Sequence, residues 1–270
     1  VGTKVVFTII KNDNVSENIT LERESIEVPK FIQGIQLVNQ GSLEEGYEIL
    51  LDLAKNGDPD AQYIIGQINS LDRYNIKNYE EGFYWTKIAA DQNHPDANYY
   101  LAVLYSVGQG VKKNLHLGHQ YFLKAAELNI PAFLDLAFNY YYGEGASKNI
   151  NEAIKWFNKT INFPVKDLKL ATQNKFSSYK YLYYIFMYED GFIDKNKAFE
   201  FANILVEEKG DGVDYERLGY LYEIGDGVHK DTSIAAKYYK IAMEKGDLFA
   251  KQSLAKLYFW GDGVDQDYDK

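Results

Sequence analysis

The sequence has 270 residues, of which 46% are hydrophobic and 16% aromatic, which is enough for a folded core; it has no cysteine, which excludes disulfides and thiol chemistry. The 39 acidic against 29 basic side chains give a net charge of −10, which argues against a nucleic-acid partner and favours a neutral or basic one. No apolar run of about 18 residues is present, so we expect no membrane span.

The first 29 residues have a strand-like pattern. Residues 3–11 alternate apolar and polar side chains with several β-branched residues, residues 12–14 (Asn-Asp-Asn) supply turn chemistry, and the alternation resumes over residues 19–24. We therefore predict a β-hairpin here. Because a two-stranded hairpin alone is marginally stable in water, we expect the natural polypeptide to extend upstream of Val1.

The two alternating runs, residues 2–10 and 19–29, resemble the last two strands of a PDZ domain of the kind found in bacterial tail-specific and related secreted proteases. The resemblance implies that residues 1–29 are the C-terminal remnant of a PDZ domain. It also implies an extracytoplasmic location in bacteria; without it we expect a cytoplasmic one. The segments that bind the ligand of a PDZ domain are not present, so no ligand residue is assigned.

From about residue 31 onward the sequence is repetitive. A small residue or its substitute is followed by an apolar residue four positions later, a tyrosine eight positions later and a glycine eleven positions later. This frame starts at Ala97, Ala132, Asp214 and Ala250. Each frame ends in a glycine-x-glycine turn, and a second frame follows in which a large side chain precedes an alanine pair and a closing Gly or Asn. A period of 35 or 36 residues indicates an array of helical hairpins.

The residue types explain why such a hairpin forms. Glycine at the end of the first helix permits the left-handed conformation that closes a helix, and a second glycine lets the chain reverse tightly. Alanine pairs let two helices approach closely, while tyrosine and tryptophan fill the space between neighbouring hairpins. Because one hairpin cannot bury this surface alone, neighbouring hairpins must stack.

The frame A-x-x-x-L-G-x-x-Y-x-x-G-x-G-V, followed by K-A-x-x-W-x-x-K-A-A-x-x-G, resembles the Sel1-like repeat, a relative of the tetratricopeptide repeat. Residues 214–228 match the first part nearly throughout. The resemblance implies an all-α fold for residues 30–270: a right-handed α-solenoid of antiparallel helix pairs with about seven repeats, the first degenerate and the last truncated.

One repeat departs from the period. Taking Lys180 as the residue equivalent to Ala132 leaves about a dozen surplus residues, which lie around residues 163–178. The unit that contains Tyr184, Tyr188 and Gly191 also has a shortened turn. We expect a lengthened helix or an inserted loop at this point.

A binding surface follows by analogy, since the first helices of tetratricopeptide-like hairpins line the concave side. We predict an aromatic groove with acids at one end, suited to an extended peptide or a helix. Its residues are Tyr63, Tyr99, Val103, Leu134, Phe138, Tyr141, Leu182, Phe186, Glu216 and Tyr220. The alternative is that most of these aromatic residues belong to the core between helices.

Catalytic chemistry is nearly absent from the sequence. His116 and His119 could share a metal, but no third ligand joins them, so we expect both at the solvated surface. The glycine pairs follow helices rather than strands and lack the Gly-Lys of a phosphate loop. We therefore expect no cofactor, no metal and no enzyme activity. Two functions stay open: a scaffold or adaptor that binds another protein, and a regulatory or substrate-selecting arm of a PDZ-containing protease.

Overall fold

The computed structural model describes residues 4–10, 16–22, 28–71, 78–129, 131–164 and 168–267. The chain divides into two compact units, unit 1 (Val1–His94) and unit 2 (Pro95–Lys270). From Lys30 onward the described residues form helices joined by short turns, which confirms the predicted helical array. Its handedness stays a prediction.

The described residues contain thirteen helices: α1 (Lys30–Gln40), α2 (Leu43–Lys55), α3 (Pro59–Ser70), α4 (Tyr79–Asp91), α5 (Pro95–Val107), α6 (Leu115–Glu127), α7 (Phe133–Tyr142), α8 (Ile150–Asn162), α9 (Leu168–Tyr188), α10 (Lys195–Lys209), α11 (Gly212–Ile224), α12 (Thr232–Glu244) and α13 (Leu248–Trp260).

Two strands precede the helices. β1 (Lys4–Ile10) pairs antiparallel with β2 (Ser16–Glu22), in a register that places Lys4 opposite Glu22 and Ile10 opposite Ser16. The residues expected to form the turn, 12–14, lie outside the described part. The assignment of residues 1–29 to a PDZ domain therefore stays a prediction, as does the domain boundary at residue 30.

Glycine turns close four of the first helices, α5, α7, α11 and α13, as the sequence predicted. Gly108, Gly143, Gly225 and Gly261 have φ between +65° and +82°, and the second glycines of the same turns also have positive φ. The second helices close on Asn93, Asn129 and Gly246, which likewise have positive φ. Because positive φ is costly for most residues and open to glycine and asparagine, these residue types fix where each helix ends.

From α4 onward, the second helix of each pair begins at an asparagine or aspartate. These side chains accept hydrogen bonds from backbone N–H groups of the first helical turn, which stabilises the helix start. The capping residues are Asn78, Asn114, Asn149, Asp194 and Asp231.

Small residues bring the two helices of a pair together. A Cβ atom added to Gly46 would lie 2.7 Å from the Gly34 carbonyl oxygen, and one added to Gly82 would lie 3.0 Å from that of Gly66. A Cβ atom on Gly118 would lie 3.1 Å from the carbonyl oxygen of Ala102. Trp85 and Trp156 are buried, as predicted for the large residue of the repeat.

Candidate functional site

A shared backbone hydrogen bond fixes the register of the repeats in unit 2. We number each first helix from position 0, which is Ala97 in α5, Ala132 before α7, Asp214 in α11 and Ala250 in α13. The N–H of the residue that ends the turn donates to the carbonyl of the tyrosine at position 8, at 2.8 to 3.0 Å. These pairs are Asn114 with Tyr105, Asn149 with Tyr140, Asp231 with Tyr222 and Asp267 with Tyr258.

The same bond shows that our predicted register for α9 was wrong by two residues. Asp194 donates to the Phe186 carbonyl at 2.9 Å, which places Phe186 at position 8 and Ser178 at position 0. Ser178 is fully buried, like the alanines at position 0 of other repeats. The turn after α9 is one residue shorter than the others, so Gly191 is not equivalent to the first glycine of the other turns.

Two residues of the predicted groove change place as a result. Leu182 and Phe186 are core residues, 0% and 9% exposed, so they offer a partner almost no side-chain surface. Lys180 and Tyr184 take positions 2 and 6 of α9 instead. The sequence did hold a signal for this register, because Ser178, Leu182 and Phe186 repeat the spacing of small, apolar and aromatic residues.

Aromatic side chains fill the crevice between α7 and α9. The Tyr181 ring lies 4.8 Å from the Phe138 ring and 5.3 Å from the Tyr141 ring, between centroids. Its hydroxyl is 2.5 Å from that of Tyr142, and its ring stacks on Phe157 at 5.4 Å. Burial raises the pKa of Tyr181 to about 12. Phe138 and Tyr141 are thus half-buried between two helices rather than fully open to a partner.

The crevice between α5 and α7 contains a carboxyl group. The Tyr99 hydroxyl donates to Asp135 Oδ2 at 3.4 Å. Burial raises the pKa of Asp135 to about 6, an effect that the bond from Tyr99 partly offsets, and burial also raises the pKa of Tyr99. Val103 and Leu134 are half-buried here and pack against the hydrophobic core.

An ion-pair network joins α9 to α11. The Arg217 guanidinium lies 4.9 Å from the Tyr184 ring centroid and donates to the Tyr184 hydroxyl. It also donates to Asp214 Oδ1 at 2.7 Å, and Lys180 Nζ lies 3.6 Å from Asp214 Oδ2. Because Asp214 is buried, these two cations balance its charge and hold the two first helices together.

The outer face of α11 carries the acids that the sequence placed at one end of the groove. Glu216, Tyr220 and Glu223 lie on one side of the helix at spacings of four and three residues. Burial, followed by the nearby Asp247 carboxylate, raises the pKa of Glu216. Glu223 Oε2 accepts a hydrogen bond from the Tyr239 hydroxyl at 2.5 Å, while Tyr220 is exposed.

Position 10 of the first helices in unit 2 is exposed in every repeat. Side chains at this position lie outside the hydrophobic core, and more than 40% of each is exposed. We call this set the edge row: Val107 (60% exposed), Tyr142 (55%), Tyr188 (59%), Ile224 (41%) and Trp260 (74%). Nothing in the sequence groups these residues, since their chemical types differ and the register of α9 was misplaced.

Tyr63 is the predicted groove residue that lies in unit 1. Its hydroxyl accepts a hydrogen bond from Gln67 Nε2 at 2.7 Å, and its ring centroid lies 4.9 Å from that of His94. The His94 ring is buried and its Nε2 lies 2.9 Å from Asp60 Oδ1. Tyr63 is therefore half-buried at the end of unit 1.

The histidine pair of α6 differs from our expectation. His119 is buried, with Nδ1 3.2 Å from Asn139 Nδ2 and its ring edge-on to Tyr140, whereas His116 is exposed. Burial lowers the pKa of His119. Within the described ranges no group of three or more metal-binding side chains comes together. None of the helices in those ranges is both long and apolar enough to cross a membrane.

Comparison with known families gives a match over more than half of the chain. The family model described as Sel1 repeat matches residues 59–94, 95–130, 134–162, 215–247 and 250–270. The unmatched stretch between residues 162 and 215 contains α9 with its shorter turn. No curated protein matches the sequence significantly.

Solved structures show the same fold. The crystal structure of a protective antigen present in uropathogenic Escherichia coli strains, described as displaying an SLR fold, is 28% identical with a TM-score of 0.62. That match covers 82% of this chain and 46% of the other, so the chain spans less than half of that protein. A Sel1 repeat protein from Oxalobacter formigenes is 24% identical with a TM-score of 0.66, over 88% of this chain and 94% of the other.

Proposed function

Because the chain belongs to the Sel1 repeat family, whose members are generally non-catalytic protein-interaction scaffolds, we propose that it binds a protein or peptide through the first helices of unit 2. The proposed contact area is the tyrosine surface, which we define as the side chains that α7 and α9 present together: Tyr141, Tyr142, Tyr181, Tyr184 and Tyr188.

One observation carries the proposal. Tyr142 and Tyr188 occupy the same repeat position on neighbouring first helices, and more than half of each side chain is exposed. Tyr181 lies against Tyr142, so the two exposed rings flank a surface that is already ordered by contacts within the protein. Tyrosine suits such a role because it gives a large contact area and loses little conformational entropy on binding.

The partner's chemistry follows from the charges around this surface. Arg217 and Lys180 are already bound to carboxylates. Burial raises the pKa of Glu216, and the nearby carboxylates of Asp247 and Glu223 raise it further. The electrostatic potential at this surface therefore favours a neutral or basic partner over an acidic one, in keeping with the net charge of −10. An extended peptide or a helix that lies across α7, α9 and α11 would reach both the tyrosine surface and Tyr220.

Selection from a random peptide library displayed on phage, against the purified chain, tests the proposal. We expect enriched peptides whose binding falls at least about tenfold when Tyr142→Ser and Tyr188→Ser are combined, since exposed aromatic anchors are typical hot spots. The melting temperature of this variant should stay close to that of the wild type because both side chains are exposed.

Tyr84→Ser is the matched control. Tyr84 is 55% exposed, as Tyr142 is, but lies on α4, the second helix of its pair. Failure to enrich any peptide, or an equal loss of binding in the Tyr84→Ser variant, would contradict the proposal.

The alternative function, an arm of a PDZ-containing protease, depends on a catalytic domain that these 270 residues do not include. It stays a hypothesis, and a serine nucleophile with its base in a longer reading frame would support it. The extracytoplasmic location stays tied to the same hypothesis.

A further inference from the structure

Unit 1 contains a pocket of about 310 Å³ between α1 and α3. Aliphatic side chains form most of its wall, among them Val38 and Ile68, which belong to the hydrophobic core of unit 1. The carboxamides of Asn39 and Gln67 complete the lining. The pocket is thus an apolar recess that reaches the core and has two polar groups beside it.

The repeat geometry shows which positions line this pocket. Position 0 of α3 is Ala61, which places Gly66 at position 5. The carbonyl of Gly34 meets the second helix at Gly46 as the carbonyl of Gly66 does at Gly82, so Gly34 is at position 5 of α1. The pocket is therefore lined by positions 6, 9 and 10 of α1 and positions 3, 6, 7 and 10 of α3.

In unit 2 the same positions form the crevice between α7 and α9. There, an aromatic ring fills the space that is a pocket in unit 1. Position 3 of α9 is Tyr181, whose ring lies 4.8 Å from the ring of Phe138 at position 6 of α7. In unit 1 the equivalent residues are Ile64 and Ile35, which are smaller and aliphatic. The loss of two rings at equivalent positions accounts for the empty volume.

We propose that this pocket binds one aromatic side chain of a peptide partner, in the place that Tyr181 takes in unit 2. The inference rests on the proposed function, because it assumes that the partner is a peptide. Pockets for small molecules start at about 300 Å³, so this one suits a single ring rather than a larger ligand. A carboxamide can donate to a peptide carbonyl and accept from a peptide N–H, which gives Asn39 and Gln67 a role in holding the peptide backbone.

Titration of the whole chain with N-acetyl-L-phenylalaninamide tests the pocket directly. With ¹³C-labelled isoleucine methyl groups, we expect chemical-shift changes at Ile35, Ile64 and Ile68 with a dissociation constant on the order of 1 mM, typical of a ligand this small. N-acetyl-L-leucinamide should bind at least about fivefold more weakly, because it lacks the ring contacts.

Two variants fill the pocket from opposite walls. Ile64→Tyr supplies the side chain that α9 has at position 3, and Ile35→Phe supplies the one that α7 has at position 6. Each variant should raise the melting temperature and abolish the chemical-shift changes at the remaining isoleucines. If the Ile64→Tyr variant does not fold, the Ile35→Phe variant still tests the pocket. Ile224→Tyr, at an exposed site in unit 2, is the control and should leave the titration unchanged.

Several outcomes would overturn the inference. These are an absence of shifts at the three isoleucines, equal binding of the leucine compound, and binding that survives both filling variants. Shifts at the pocket with no peptide enriched from the library would instead remove the proposed function and leave the pocket as an aromatic-binding site.

Discussion

Asp135 shows how one buried side chain makes the stability of unit 2 depend on pH. Its pKa is raised from 3.8 to about 6 in the folded chain, chiefly by burial between α5 and α7. The folded state therefore holds this proton more tightly than the unfolded state does. The resulting stabilisation is fully present below pH 3.8 and is lost as the pH rises through 6.

We expect Asp135→Asn to raise the free energy of unfolding by about 1 to 3 kcal/mol at pH 8, because the variant keeps the hydrogen bond to Tyr99 without a buried charge. The difference from the wild type should shrink as the pH falls below 6. Urea denaturation of both proteins at pH 8, 6 and 5 measures it. A difference that does not change with pH would show that burial does not govern this carboxyl group.

The glycines that end helices connect the residue scale to the element scale, since glycines in different turns have different neighbours. Gly227 is the second glycine of the turn after α11, and Gly246 closes α12. A Cβ atom on Gly227 would lie 2.0 Å from the Lys195 carbonyl oxygen, at the start of α10, whereas a Cβ atom on Gly246 would meet nothing within 4 Å. Both have positive φ. The second glycine of the turn is thus the point where one repeat contacts the backbone of the previous one.

We expect Gly246→Ala to cost about 1 kcal/mol of stability through φ alone and Gly227→Ala to cost about 3 kcal/mol or more, because backbone must also move. Chemical denaturation of the two variants gives the comparison. Equal losses would mean that the contact between the turn and α10 relaxes without strain.

The register of α9 yields a second prediction at this scale. Ser178 is fully buried at the position that alanine takes in three other repeats of unit 2. Ser178→Ala should therefore change the free energy of unfolding by less than about 1 kcal/mol, whereas Ser178→Leu should reduce it by about 1 to 3 kcal/mol through overpacking. Thermal and urea melts of both variants decide this. If leucine is tolerated as well as alanine, Ser178 is not equivalent to Ala132.

The helices were predictable because their ends depend on local chemistry. Gly108, Gly225 and Asn93 adopt the positive φ that ends a helix, a conformation that few other residue types tolerate, so the sequence alone indicates those turns. The register of α9 was predicted wrongly, because a turn shortened by one residue shifts the tyrosine and glycine that served as markers, although Ser178, Leu182 and Phe186 keep the spacing of the other repeats.

The candidate site was less predictable than the fold, for a different reason. Whether an aromatic residue at position 6 is exposed depends on the residue at position 3 of the next first helix. Phe138 is half-covered because Tyr181 is large, whereas Ile64 is small enough to leave a pocket. Such pairs are distant in sequence and come together only when hairpins stack.

At the scale of the whole molecule, each unit has hydrophobic clusters of its own among the described residues. The cluster of unit 1 extends from Val38 to Trp85, and those of unit 2 begin at Ala102. Repeat arrays derive their stability from contacts between neighbouring repeats. We therefore expect residues 95–270 expressed alone to keep a helical circular dichroism spectrum and a cooperative thermal transition.

The full chain is the reference for that experiment. Residues 95–270 should unfold within a few degrees of one transition of the full chain, measured in the same buffer. A fragment without helical signal would show that the clusters of unit 2 do not suffice for folding.

The edge row has a consequence for how this protein can evolve. Val107, Tyr142, Tyr188, Ile224 and Trp260 share a backbone setting and lie outside the hydrophobic core, so substitutions there should disturb the fold less than substitutions at buried positions. If the proposed function holds, the chain separates the residues that maintain its architecture from those open to selection by a partner. Recognition could be rewritten one repeat at a time, and the same five positions are where a laboratory library would be randomised to give this scaffold a new target.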